Sequence, residues 1–185
     1  MTPPFTIHAL EPAHLPALFA YLDEHLRDNG KNGTPLFQPQ SRSESTFPAD
    51  RKAAFANGLA TPLGIPGWRR AWIARDATGA IAGHVDLRAR PEKAAAHRVM
   101  LGMGVQRNHR RQGLATHLLR AAQDWAVRET TVDWIDLELL TSNLPGRALY
   151  LANGFVITGE VADMFRIDGE ALGYTFMTLD LRAGA

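Results

Sequence analysis

Apolar and polar positions alternate or recur at helical spacing along most of the chain, and changes of period divide it into elements. Phe5, Ile7 and Ala9 alternate with Thr6 and His8, which predicts a short first strand. Pro12 suits the first turn of a helix, and Leu15, Leu18, Phe19 and Leu22 follow at helical spacing to about Leu26. Between Asp28 and Pro48 the periodicity dissolves, with Gly30, Gly33, Pro35, Pro39 and Pro48 as punctuation. A loop of that length is expected to be functional or mobile. A poorer helix is predicted over 49–60, followed by the breakers Pro62, Gly64, Pro66 and Gly67.

Trp68–Arg75 and Ala80–Arg90 read as strands joined by a hairpin turn at Asp76-Ala77-Thr78-Gly79. His97–Val105 is a third, mostly apolar strand, and Gln106–Gln112 a polar, basic loop. Leu114, Leu118, Ala121 and Trp125 then recur as one face of a strong amphipathic helix to about Thr130. Trp134–Leu140 is a strand, Pro145 opens a short helix and Gly154 closes it. Phe155–Glu160 and Tyr174–Leu181 complete the strands, with 161–173 as their connection. The order β-α-α-β-β-β-α-β-α-β-β predicts a mixed α/β chain of the α+β type, one domain over 1–185.

Composition narrows the picture. A chain of 185 residues, 45% hydrophobic and 21% charged, is long enough for a full core without staples. With no cysteine, it has no disulfide, no thiolate metal site and no cysteine nucleophile, which fits a reducing, cytoplasmic compartment. A net charge of +1 offers no bulk attraction for nucleic acid or an anionic membrane. The basic residues are nearly all arginine, with Lys31, Lys52 and Lys93 the exceptions; codon bias accounts for that more simply than phosphate binding. No apolar run approaches the ~20 residues of a membrane span, and no basic segment with an apolar core opens the chain.

The motifs exclude more than they assign. There is no GxxxxGK[ST], HExxH or GxSxG, and Gly102-Met103-Gly104 fails as a dinucleotide fingerprint because position 107 is Arg107. Seven histidines show no metal-ligand spacing, so no metal is expected. Asn32-Gly33-Thr34 is a chance match to a glycosylation acceptor. The informative stretch is 105–116, a strand end, a basic loop and a helix start. Free N–H groups at a helix N-terminus form an anion site, and Gly113 and Ala115 keep side chains small there. Arg110 and Arg111 add charge, and Thr116 a hydroxyl. An ordinary solvated connection is the competing reading.

Arg110-Arg111-Gln112-Gly113-Leu114-Ala115 fits the R/Q-x-x-G-x-G/A signature, and the chain from here on resembles the GCN5-related N-acetyltransferases. Leu137-Glu138-Leu139-Leu140-Thr141-Ser142-Asn143, Arg147-Ala148-Leu149-Tyr150 and Gly154-Phe155 are similar to that family's downstream strand–Asn–helix–LYxxxGF block. The match covers Val99 to about Gly159, with Tyr174–Leu179 similar to the last strand. Arg107 departs from the proline common in that turn.

The resemblance implies a largely antiparallel central sheet with splayed middle strands and helices on both faces. It implies acetyl-CoA as cosubstrate, its pantetheine arm paired with backbone at Met103, Gly104 and Val105. Its pyrophosphate would be wrapped by Arg110, Arg111, Gln112, Gly113, Leu114 and Ala115, with Thr116 beside them. Asn143 would hold the pantetheine arm or cap the following helix, and Tyr150 would lie near the thioester sulfur or pack as a core aromatic. Glu138 stands where the ribosomal-protein alanine N-acetyltransferase branch has a catalytic glutamate, with Asp86, His84 and water in reserve as bases.

The expected reaction is direct attack of a primary amine on the thioester, with Tyr150 as general acid. The acceptor is a small molecule or a peptide, with a homodimer left open. Two alternatives stand beside it: a non-catalytic acyl-CoA-binding module, and a toxin-like acetyltransferase of charged tRNA, which the near-neutral charge weighs against. The family's architecture further implies that 28–48 and Pro62–Gly67 wall the acceptor pocket. Leu36, Phe37 and Phe47 suit the former either to a mobile lid, with Asp28 and Glu44 attracting a cationic amine against Arg42, or to a surface loop packed on the core or a partner subunit.

Overall fold

The computed structural model describes residues 5–182. Its strands are β1 (Thr6–Ala9), β2 (Arg69–Arg75), β3 (Ile81–Ala89), β4 (Arg98–Val105), β5 (Trp134–Leu140), β6 (Val156–Ile167) and β7 (Glu170–Asp180). Four α-helices accompany them: α1 (Leu15–Leu26), α2 (Ala49–Ala60), α3 (Leu114–Glu129) and α4 (Leu144–Ala152). The strands form one sheet in the order β1-β2-β3-β4-β5-β7-β6. Neighbours are antiparallel except β4 and β5, which run parallel.

Alternation along the strands sorts side chains to two faces. On one, Val85, Leu87, Val99, Leu101, Ile135, Leu137 and Leu139 pack under Leu114, Leu118, Leu119 and Ala122 of α3. On the other, Ala71 and Ile73 of β2 meet Leu18, Tyr21 and Leu22 of α1 and Phe55 of α2. The apolar stripe of α3 was legible because its period is helical and its opposite face charged. Pro12 begins a 3-10 turn, Pro12–His14, rather than the α-helix, which starts at Leu15.

The span 161–173 is not a loose connection. β6 and β7 extend through it and meet at a two-residue turn, with Ile167 paired to Glu170. Asp168 and Gly169 there both have positive φ, 50° and 83°, the geometry of a tight hairpin. Irregular pairing between Val161 and Phe165, with Asp163 at φ 52°, interrupts the alternation that would have revealed the strands. Among the described residues no helix is long and apolar enough to cross a membrane.

Candidate active site

The parallel pair β4–β5 is short. It joins Arg98 to Trp134, Val99 to Ile135 and Met100 to Asp136, and ends there. From Leu101 to Val105, β4 keeps β3 as its partner but has none on the β5 side. Alternate N–H and C=O groups of 101–105 therefore face a gap, across which 137–140 of β5 likewise lack a partner on that side. Met103 and Val105 pack partly against the α3-side core. The Val105 carbonyl accepts from Arg110 Nε at 3.0 Å.

Two glycines open the α1/α2 face of β4. A Cβ at Gly102 would stand 2.7 Å from Asp86 Oδ1, and one at Gly104 would stand 2.7 Å from His25 Nε2. Any larger residue would collide with polar side chains reaching under the strand. Asp86 is the register partner of Gly102 on β3, and Glu138 lies on β5 two residues past the last pair, as Gly102 does on β4. The two carboxylates thus flank Gly102 from opposite sides.

A cavity of about 450 Å³ lies over this floor. Met103, Glu138, Asn143 and Tyr150 of the sequence-predicted set all line it, as do Asp86 and His84. The ring of Tyr150 meets Phe155 edge-on, centroids 5.5 Å apart, and burial raises the hydroxyl pKa above that of an ordinary phenol. Asn143 Oδ1 accepts from the Gly146 N–H at 3.2 Å, so it caps α4 while facing the cavity. Asp86 is buried, and its Oδ2 has no hydrogen-bond partner among the described residues; the nearest cations are Arg69 Nε and Arg88 Nη1, each at 3.5 Å.

Arg110–Thr116 lies beyond the end of β4, outside the cavity lining. Arg111 and Gly113 have φ of 61° and 79°, two left-handed residues within three positions. Gly113 is the N-cap of α3, with no side chain bonded to the first amides. The nearest atom to a Cβ there would be His117 Cε1 at 4.0 Å, so the approach to those amides is open. Leu114 is a core residue, Gln112 Nε2 donates to the Asn108 carbonyl, and Arg110 Nη1 to Thr34 Oγ1 at 3.0 Å. This loop offers an anion its backbone more than its side chains.

Several cavity residues escaped the sequence reading: Arg51, Arg69, Arg88, Tyr174 and His25. Burial pushes the Tyr174 hydroxyl up to about 12, helped by the Glu138 carboxylate beside it. Tyr21 donates to the Gly104 carbonyl at 3.1 Å and lies 3.3 Å from His84 Nδ1. Burial lowers His84 to about 4, with Arg69 adding to it, and lowers His25 to about 3, with His84 adding to it. Both imidazoles are neutral near pH 7. The polar alternation His84, Asp86, Arg88 in an apolar strand was the available signal.

The 28–48 segment closes the cavity with Phe37, Gln38, Pro39 and Phe47, whereas none of Pro62–Gly67 lines it. The segment is fastened. Asn29 is fully buried and its side chain bonds Phe37 N, Gln38 N, Gln38 O, Gln40 O and Ser45 Oγ. Asp28 is held by Arg107, so it presents no free charge to an amine. Among the described residues no group of three or more His, Asp or Glu is placed to hold a metal.

The sequence matches the Acetyltransferase (GNAT) family over residues 39–155, and the chain belongs to that family. It is 29% identical over 99 residues to the N-terminal acetyltransferase A complex catalytic subunit NAA10 of Arabidopsis thaliana; the match covers 54% of this chain and 52% of that protein. The chain thus spans about half the length of that relative. Among solved structures, a GNAT-family acetyltransferase from Streptococcus pneumoniae superposes with a TM-score of 0.77 at 23% identity, covering 94% of this chain and 98% of that one. A putative acetyltransferase from Salmonella typhimurium, solved with its cofactor acetyl-CoA, gives 0.76 at 18% identity, covering 96% and 94%.

Proposed function

We propose that 1–185 is a single acetyltransferase domain that moves an acetyl group from acetyl-CoA to a primary amine by direct attack, in the cytoplasm. The observation that carries this reading is the meeting, in one cavity, of the unpaired edge of β4, the Tyr150 hydroxyl and two carboxylates flanking Gly102. The residues fit the cosubstrate. The free amides of α3 behind Gly113 suit a pyrophosphate, and the unpaired backbone of 101–105 suits an amide-bearing arm. Asn143 has its amide nitrogen to spare while its oxygen caps α4.

Acetyl-CoA supplies the activated acyl group; the chain supplies position and protons. Glu138, with Asp86 as the reserve, takes the proton of the attacking amine, so that its lone pair is free for the carbonyl carbon. Unspent backbone N–H near Met103 stabilises the negative charge that develops on the carbonyl oxygen. Tyr150 holds its proton at neutral pH as any phenol does, the more firmly for being buried, and gives it to the sulfur as the C–S bond breaks. With no cysteine in the chain, there is no thiol to carry the acetyl group between the two substrates. Thiol release from acetyl-CoA over a panel of primary amines, with mass spectrometry of the product, tests the reading. Tight CoA binding without release from any amine would favour a binding module instead.

A further inference from the structure

The cavity is lined by three guanidiniums, Arg51, Arg69 and Arg88, against two carboxylates, Asp86 and Glu138. His25 and His84 add no charge near pH 7. Arg69 and Arg88 are register partners on β2 and β3, and both reach the same carboxylate, Asp86, at 3.5 Å. Like charges opposed across a strand pair repel, and one carboxylate is shared between two cations. Arg51 is exposed on α2 and makes no ion pair among the described residues. The Arg88 side chain is 38% exposed and has that 3.5 Å contact as its one ion pair.

These charges crowd one part of the cavity. Asp86 and Glu138 stand at the level of Gly102, where the sheet opens. Arg88 is opposite Met100, two residues along β4, but its guanidinium reaches back to that level. Nη1 lies 3.5 Å from Asp86 Oδ2 and 3.2 Å from where a Cβ on Gly102 would stand. A cation and a carboxylate are therefore side by side, as in the two ends of an amino acid. That level is far from the helix end that would hold a pyrophosphate. Gly102 to Val105 alone is ~10 Å of strand, and α3 begins beyond it. The guanidiniums are therefore not ligands of the cofactor phosphates.

Resting on the N-acetyltransferase reading, we propose that the acceptor is a small amino-acid-type molecule, its amine at Asp86 and Glu138 and its carboxylate at Arg88 and Arg51. A guanidinium with unspent donors binds a carboxylate strongly when solvent is excluded. Arg69 stays with Asp86, stacked on Phe55 with its guanidinium carbon 4.2 Å from the ring centroid, and supports the floor. A polycation would instead bring its second ammonium against Arg88 and Arg51.

The test compares kcat/KM for the common L-amino acids, each beside its own carboxamide, and for spermidine, by thiol release from acetyl-CoA. The best amino acid is expected to exceed its carboxamide about tenfold to a hundredfold, mostly through KM, the size of one charge-assisted hydrogen bond. Arg88→Met and Arg51→Met should each shrink that ratio. The second lies on an exposed helix face and folds whatever becomes of Asp86. Carboxamides or spermidine turned over as well as or better than the acids would overturn the inference and leave the acetyltransferase standing. No thiol release with any amine would overturn the enzyme reading itself.

Discussion

Arg107 donates through Nε and Nη2 to the two carboxylate oxygens of Asp28, at 3.0 and 2.5 Å, and ties the turn after β4 to the start of the 28–48 segment. In the proposed function this bond joins the cofactor side of the molecule to the acceptor side. Asp28 is buried whereas Arg107 is half exposed, so the two removals differ. Arg107→Ala strands a carboxylate and should cost about 2 kcal/mol, while Asp28→Asn with Arg107→Gln should cost less than the single change. Urea unfolding of both, with the single changes Asp28→Asn and Arg107→Gln beside them, measures this. Additive losses would mean that the pair is not coupled.

The buried imidazoles predict acid sensitivity. Below the ordinary histidine value of 6.5 the unfolded chain binds protons that folded His25 and His84 refuse until about pH 3 and 4. Their contribution is therefore complete above pH 6.5 and is lost as pH falls from there through about 4 and 3. His25→Leu removes one such group, whose Nδ1 is unpartnered in any case. Its stability should fall less between pH 6.5 and 4 than that of the parent. An identical pH slope would show that His25 titrates normally.

Gly113 sits at φ 79° ahead of open space, so a side chain there strains the backbone without striking the core. Gly113→Val should cost ~1–2 kcal/mol of stability and weaken CoA at least tenfold, because the branched side chain fills the approach to the first amides of α3. Calorimetry with CoA, beside a melt to establish folding, decides it. Unchanged affinity would place the phosphates elsewhere.

The two carboxylates beside Gly102 can be separated by their pH profiles. If Glu138 takes the amine proton, Glu138→Gln should lower kcat/KM by ~10²–10⁴ and remove the acidic limb, whereas Asp86→Asn should retain that limb. The reverse result would make Asp86 the base.

Much of this was readable in one dimension. The candidate anion loop was legible because Gly113 and the helical period of α3 are neighbours in sequence, and Asn143 and Tyr150 because they belong to one short helix opened near Pro145. The hairpin turn at Asp168-Gly169 was also written in the chain, but the irregular stretch around Asp163 hid the strands on its near side. The arginine lining was not readable. Arg51, Arg69 and Arg88 lie on α2, β2 and β3, and only the fold brings them under one roof with Glu138 of β5. Likewise the 28–48 segment looked loose, because its order comes from the buried Asn29 side chain and not from any periodicity.

The central claim is that Tyr150 supplies the proton that lets the thiolate leave. Tyr150→Phe keeps the ring against Phe155 and removes the hydroxyl alone, so its kcat, set beside its affinity for CoA, is the most direct measurement. The account predicts a kcat lower by ~10²–10⁴ with CoA affinity within a factor of about two of the parent. Wild-type turnover by the phenylalanine variant would contradict it and reduce Tyr150 to a packing residue.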